Sequence, residues 1–213
     1  MQPFSTHTGV VIPFDRRNVD TDAILPKQYL KMLEKTGFGD FLFDDERYLD
    51  PGDVETPLAE RRQNPDFILN QAPYTQGTIL LAGDNFGCGS SREHAVWALA
   101  DFGIRVIIAP GFGEIFYNNC INNGVLPAVV KQAVAAELTG LCRATPGLEL
   151  TVDLESRQLS HPRHGLWPFA IEDGRRQALL EGLDEIGLTL ERAEAIRAFE
   201  ANRRVREPWL FTE

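Results

Sequence analysis

Gly83-Asp84-Asn85-Phe86-Gly87-Cys88-Gly89-Ser90-Ser91-Arg92-Glu93-His94 is the stretch on which the reading of this chain turns. Ahead of it, Thr78 to Ala82 is a short apolar run of the buried-strand kind. Behind it, Ala95 to Phe102 sets Val96, Leu99 and Phe102 at helical spacing. The predicted order is strand, glycine-rich loop, helix. That order suits an anion. Gly83, Gly87 and Gly89 allow positive φ and close approach of a ligand. Ser90 or Ser91 is expected to cap the helix, whose first N–H groups point outward at its positive end. Arg92 adds a planar fork that matches a carboxylate. A tight turn followed by an ordinary serine cap uses the same residue types, and both readings stay open at this level. The dinucleotide pattern does not fit, because Arg92 stands where the third glycine belongs. The Gly-Lys-Ser/Thr ending of a phosphate loop is also missing.

Composition narrows the classes. A chain of 213 residues suits one domain, or one domain with a tail. At that size folding buries about 70% of the unfolded surface, so no cross-links are needed to make a core. The 31 acidic and 21 basic residues give a formal charge of -10, which argues against a general nucleic-acid binder. A local arginine site can still receive an anionic substrate against that field. Cys88, Cys120 and Cys142 are three in number and far apart, which predicts no disulfide framework and suits a reducing cytoplasm. No pair has C-x-x-C spacing, so no metal motif is expected in this chain. His161 and His164 stand three apart in a Pro-Gly turn with no further ligand in view, and read as a solvent-facing turn. The start of the chain lacks the basic-then-apolar order of a signal peptide. No stretch reaches the ~20 apolar residues that cross a membrane.

Outward from the loop, Thr8 to Pro13 predicts a first strand and Phe14 to Asp22 a polar loop. Lys27 to Lys35 reads as a short amphipathic helix or a loop. Gly37 to Asp53, aromatic and acidic, reads as an irregular insertion packed on the core, or as a surface for a partner. Gly103 to Pro110 is a second buried strand, and a strand–helix–strand order calls for a right-handed crossover. A helix with Ile115, Phe116, Asn119 and Cys120 on one face should stop at Gly124. Leu126 to Val130 is a third strand, and Val134 to Leu138 a short helix before Gly140. Leu148 to Leu154 alternates as a half-exposed antiparallel strand does, with Gln158 to Ser160 and Leu166 to Ile171 as further small β pairs. Asp173 is expected to cap a helix to Leu183, Gly187 to break it, and Glu191 to Arg204 to form another before a tail from Arg206 to Glu213. The sum is an α/β chain: a β/β/α layered domain with a mixed sheet over residues 1–187, and a helical C-terminal extension over 188–213.

Gly87-Cys88-Gly89-Ser90-Ser91-Arg92-Glu93-His94 also resembles the signature of the swivelling domain of the aconitase superfamily. So do, in order and spacing, Asn18-Val19-Asp20-Thr21-Asp22-Ala23-Ile24-Leu25-Pro26, Val106 to Ala109, Phe112 to Asn119, and Asn123-Gly124-Val125-Leu126-Pro127. The resemblance spans roughly residues 1 to 200. A free-standing chain of this length is similar to the small subunits of the leucine-pathway isomerase family, the 3-isopropylmalate dehydratases.

That resemblance implies a reversible dehydration and rehydration of a 2-hydroxy acid. It implies that Ser90 takes the proton from carbon, that Ser91 binds and orients, and that Arg92 grips a substrate carboxylate. Asp20, Thr21 and Asp22, with Gly87 and Gly89, would hold the loop. Tyr29, Leu30 and Lys31 would contribute to substrate choice. It further implies a large subunit that bears a 4Fe-4S cluster, with no cofactor in this chain and a small dicarboxylate as substrate. His94 reads as structural, Cys88 as loop packing, and Cys120 and Cys142 as core thiols. Two other classes stay open: a related hydro-lyase acting on homoaconitate, citraconate or a methylated malate, and a non-enzymatic carboxylate-binding module.

Overall fold

The computed structural model describes residues 1–32, 34 and 36–211. Leu33 and Lys35, within the predicted segment Lys27 to Lys35, lie outside the described residues, as do Thr212 and Glu213 of the predicted tail. One seven-stranded mixed sheet organises the chain: β1 Thr6–Phe14, β2 Ile79–Ala82, β3 Val106–Ala109, β4 Leu126–Val129, β5 Glu149–Asp153, β6 Gln158–His161 and β7 Gly165–Pro168. Their spatial order is β4-β3-β2-β1-β5-β6-β7. The first four run parallel, and β5 to β7 run as an antiparallel meander beginning against β1. Strands β2 and β3 are apolar throughout and wholly buried, as parallel strands covered on both faces must be. The sheet curls until the segment after β7 meets the far edge. There Val129 and Ala170 exchange N–H···O bonds of 2.7 and 3.4 Å.

Alternate side chains therefore fill two cores. Val11, Ile79, Leu81, Val106 and Ile108 face inward, against Leu150, Val152, Leu159 and Trp167 of the curled half. Helix α5 Gln132–Ala144 adds Ala135, Leu138 and Cys142 to that side. Ile12, Phe14, Leu80, Ala82, Ile107 and Ala109 face the other way, under helices α3 His94–Phe102 and α4 Glu114–Asn122. The aromatic insertion completes this second side. Phe38, Leu42 and Phe43 are fully buried in it, beside two short helices, α1 Thr21–Ile24 and α2 Asp44–Arg47.

Several local expectations change. Gly140 does not end its helix; α5 runs through it, because a side chain there would meet nothing and the backbone has no steric reason to break. On α4, Phe116 and Cys120 are buried but Ile115 is 51% exposed, so the face is narrower than predicted. Helix α6, Asp173–Glu181, has Glu172 rather than Asp173 at its N-cap. It stops at Gly182, which takes the left-handed conformation. Gly187 lies within the next helix, α7 Glu185–Leu190, which Asp184 caps through the Gly187 N–H at 2.7 Å. The predicted boundary at residue 187 thus falls inside α7. The last helix, α8 Ala193–Arg206, has no buried residue, and Phe199, Val205 and Trp209 are 63%, 83% and 68% exposed. The Met1 ammonium donates to the Gly182 carbonyl at 3.0 Å, and its side chain rests against Gly124, just ahead of β4. Among the described residues no helix is long and apolar enough to cross a membrane.

Candidate active site: a braced serine loop

The loop after β2 leaves the carboxyl end of the parallel strands, the end at which open α/β sheets place ligands. Three neighbouring segments fix it by backbone hydrogen bonds. The Gly83 N–H donates to the Arg16 carbonyl at 3.0 Å, and the Gly87 N–H to that of Val19 at 2.7 Å. The Thr21 N–H donates to the Cys88 carbonyl at 3.0 Å, and the hydroxyl of buried Thr21 to the Ser90 carbonyl at 3.0 Å. From the other side, the loop after β3 pairs through Phe86 N–H to Gly111 and Gly113 N–H to Phe86, at 3.1 and 2.9 Å. Gly87, at φ +72°, is required by space as well as by backbone. A methyl there would stand 2.1 Å from the Phe116 ring.

On this frame Gly89, Ser90 and Ser91 are exposed and Arg92 is half-buried. The expected serine cap is not made: Glu93 holds the N-cap position of α3, and its side chain makes no cap hydrogen bond. The Ser90 carbonyl is tied instead to the Thr21 hydroxyl and to the Arg92 N–H. Arg92 pairs through Nη1 with the Asp22 carboxylate, 55% exposed. Asp20 caps α1, accepting from the Ala23 N–H at 2.7 Å. The Asp20-Thr21-Asp22 segment thus braces both the serine loop and Arg92.

Tyr29, Leu30 and Lys31 follow α1 in a single 3-10 turn, Lys27–Lys31. The structure separates them. Lys31 is exposed and Leu30 half-buried, but Tyr29 is fully buried beneath Phe41, ring centroids 4.1 Å apart and nearly parallel. Tyr29, expected to contribute to substrate choice, lies in the core of this chain, where its ring finds an aromatic partner. Two further arrangements were not foreseen. Asn123 donates to Glu93 at 2.9 Å and accepts from the Trp97 indole at 3.1 Å, tying the end of α4 to the start of α3. Asp44 and Arg61 form a buried ion pair under Tyr29. Residues 17 apart in an irregular segment give no periodic signal, so neither partner was legible.

The cysteines do not converge. Cys120 lies in the core on the α3–α4 side and Cys142 in the opposite core, while Cys88 sits in the loop. Burial pushes the Cys120 thiol up, and that of Cys142 to about 11. Cores on opposite faces of one sheet cannot offer three thiolates to one cluster, so the residues of this chain do not fit such a group. His94 packs edge-on against Phe38 and tilted against Trp97, and burial holds its ring below the usual imidazole value. His7, bonded to the Thr78 hydroxyl at 2.7 Å, is lowered by burial and then by Arg105. The unfolded chain therefore takes up protons on these two rings first, and stability falls as pH drops below about 6.5. Urea unfolding at pH 7.5 and 5.5 checks this, and His94→Asn should flatten the slope.

Comparison with known proteins bears on this geometry. A chain from Methylibium petroleiphilum, a 3-isopropylmalate dehydratase small subunit, is 55% identical over 210 residues, covering 99% of this chain and 97% of that one. One of the same description from Marinobacter nauticus is 54% identical over 211 residues, covering 99% and 98%. This chain belongs to the 3-isopropylmalate dehydratase small-subunit family. Residues 1–133 match the family model of the aconitase C-terminal domain. Residues 185–213 match the model of the C-terminal domain of the 3-isopropylmalate dehydratase small subunit. Among solved structures, a 3-isopropylmalate dehydratase from Methanocaldococcus jannaschii superposes with a TM-score of 0.60 at 24% identity, covering 92% of this chain and 99% of that one. That likeness supports the fold. Within the small-subunit family the serine loop is part of the aconitase-like portion, and α7 and α8 of the small-subunit portion.

Proposed function

We propose that this chain is the small subunit of a two-chain hydro-lyase of leucine biosynthesis. The enzyme interconverts 2-isopropylmalate and 3-isopropylmalate through 2-isopropylmaleate, by loss and return of water. One observation carries the residue assignment: two exposed serine hydroxyls and an arginine stand together on a loop whose backbone three segments hold still. Ser90 removes the proton from the substrate carbon and returns it in the reverse sense. A serine does this only as an alkoxide held by strong donors, and Arg92 and the neighbouring loop amides are the donors at hand. Ser91 orients the substrate beside it. Arg92 binds a substrate carboxylate through its fork, in exchange for its present contact with Asp22. Leu30 and Lys31 line the side-group end of the pocket.

The remaining half belongs to a large subunit, in keeping with the small-subunit naming of the relatives. The cluster implied by the superfamily resemblance is assigned to that partner, where it supplies Lewis acidity toward the departing hydroxyl. Exposure of the serine rim fits a site completed by docking, which also excludes all water but the one being moved. Three free cysteines fit a reducing cytoplasm.

The test is reconstitution. This chain, co-expressed without oxygen with a large subunit, should form 2-isopropylmaleate, followed by its ultraviolet absorbance, while neither chain alone should do so. In the assembled enzyme Arg92→Lys keeps the charge and loses the fork. kcat/KM should fall about 10- to 100-fold, the worth of one charge-assisted pair. Unchanged kinetics in that variant would refute the carboxylate role.

A further inference from the structure

Beneath the 3-10 turn lies a charged cluster that the proposed chemistry does not use. Arg61 reaches Asp44 with both prongs, Nη1 to Oδ1 at 2.5 Å and Nη2 to Oδ2 at 2.9 Å. Their side chains are 2% and 1% exposed. The guanidinium also donates to the Asp50 carbonyl from Nη2 at 2.9 Å and lies 4.1 Å over the Tyr48 ring. Gly52 packs against it so closely that a methyl there would stand 2.3 Å from Cζ. The Tyr29 hydroxyl closes the cluster, accepting from Arg61 Nη1 at 3.5 Å. Three segments distant in sequence are thereby fixed to one point: the turn 27–31, the strap 44–52, and the stretch around Arg61.

Such a pair is a poor way to gain stability. Desolvating two charges offsets most of their attraction, and apolar side chains of equal volume do as well or better. What a two-pronged pair does supply is direction, because a planar fork accepts a carboxylate in few orientations. The direction here is passed to Tyr29, whose ring is clamped by Phe41 and whose hydroxyl accepts from Arg61 of the pair. The next two residues are Leu30 and Lys31.

We infer that the buried Asp44–Arg61 pair, acting through the Tyr29 hydroxyl, is the positioning device that sets Leu30 and Lys31 against the substrate side group. The inference rests on the reading above that Leu30 and Lys31 line the pocket. Asp44, Arg61 and Tyr29 touch no substrate; they act through the turn. Fit to the side group, rather than the proton transfer at Ser90, is what they govern.

Tyr29→Phe is the discriminating variant, because it keeps the ring stack and the ion pair and removes only the link. In the assembled enzyme, KM for the isopropyl substrate should rise about 5- to 10-fold, the worth of one ordinary hydrogen bond. kcat at saturation should change less than about 2-fold, and the preference for isopropyl over methyl side groups should shrink by the same 5- to 10-fold. The double replacement Asp44→Leu with Arg61→Met removes both charges together, leaves none unpaired, and should reproduce the loss of preference. Leu30→Ala tests the underlying reading separately. If Leu30→Ala alters the preference and Tyr29→Phe does not, the positioning role is wrong and the pocket reading stands. If Leu30→Ala leaves the preference unmoved, both fall. A lower melting temperature with KM and preference unchanged in Tyr29→Phe would mark the cluster as purely structural and overturn the inference.

Discussion

Ser90→Ala in the assembled enzyme is expected to lower kcat by about 10²- to 10⁴-fold, the usual contribution of a positioned proton-transfer group, with KM changed only a few-fold. The structure separates this effect from misfolding. Ser90 is exposed, and its bonds to Thr21 and Arg92 run through its backbone carbonyl, which alanine retains. Assembly with the large chain and the melting temperature of the small one should therefore match the parent. Steady-state kinetics, with sedimentation to confirm assembly, decide it, and full turnover by the variant would remove Ser90 from the chemistry. Ser91→Ala should act in another way. KM should rise along with a smaller fall in kcat, since a hydroxyl that orients substrate contributes before the transition state as well as in it.

Gly87→Ala is the second large effect, and it is a matter of stability first. The residue holds φ at +72°, and a left-handed conformation costs an alanine about 1–2 kcal/mol. The added methyl would also stand 2.1 Å from the Phe116 ring. The nearby loop cannot give way, because Gly113 packs as closely on the Gly87 carbonyl. Crowding of that kind costs about 1–3 kcal/mol, so the chain should lose about 2–5 kcal/mol in all. Chemical denaturation measures it. Combining Gly87→Ala with Phe116→Leu should restore the crowding part and leave the backbone part. A melting curve unchanged in Gly87→Ala would mean that the loop is not held as described.

Much of this architecture was legible in the chain. The three apolar runs that became β2, β3 and β4 are short and unbroken, and such runs have few places to go except the middle of a parallel sheet. The alternation in Leu148 to Leu154 announced the half-exposed strand β5. What stayed hidden depended on contacts between distant residues. Nothing local to Gly140 tells a helix to continue through it, and nothing local to Ser90 tells its carbonyl to turn toward Thr21. The strand, glycine-rich loop and helix that carry the serines and Arg92 were readable from residue type and spacing. The burial of Tyr29 stayed hidden because an aromatic residue beside lysines suits a pocket wall or a core alike, and its stacking partner Phe41 lies twelve positions on.

The corner where Met1 meets Gly182 carries a consequence for how this module can be joined to others. It lies at the amino end of the parallel strands, across the length of the sheet from Ser90 and Ser91. A linker spliced ahead of Met1, or a domain inserted at Gly182, would leave by the back of the molecule and keep its front clear. Genetic fusion of the two subunits through that corner should preserve turnover, whereas the same linker grafted into residues 87–91 should abolish it.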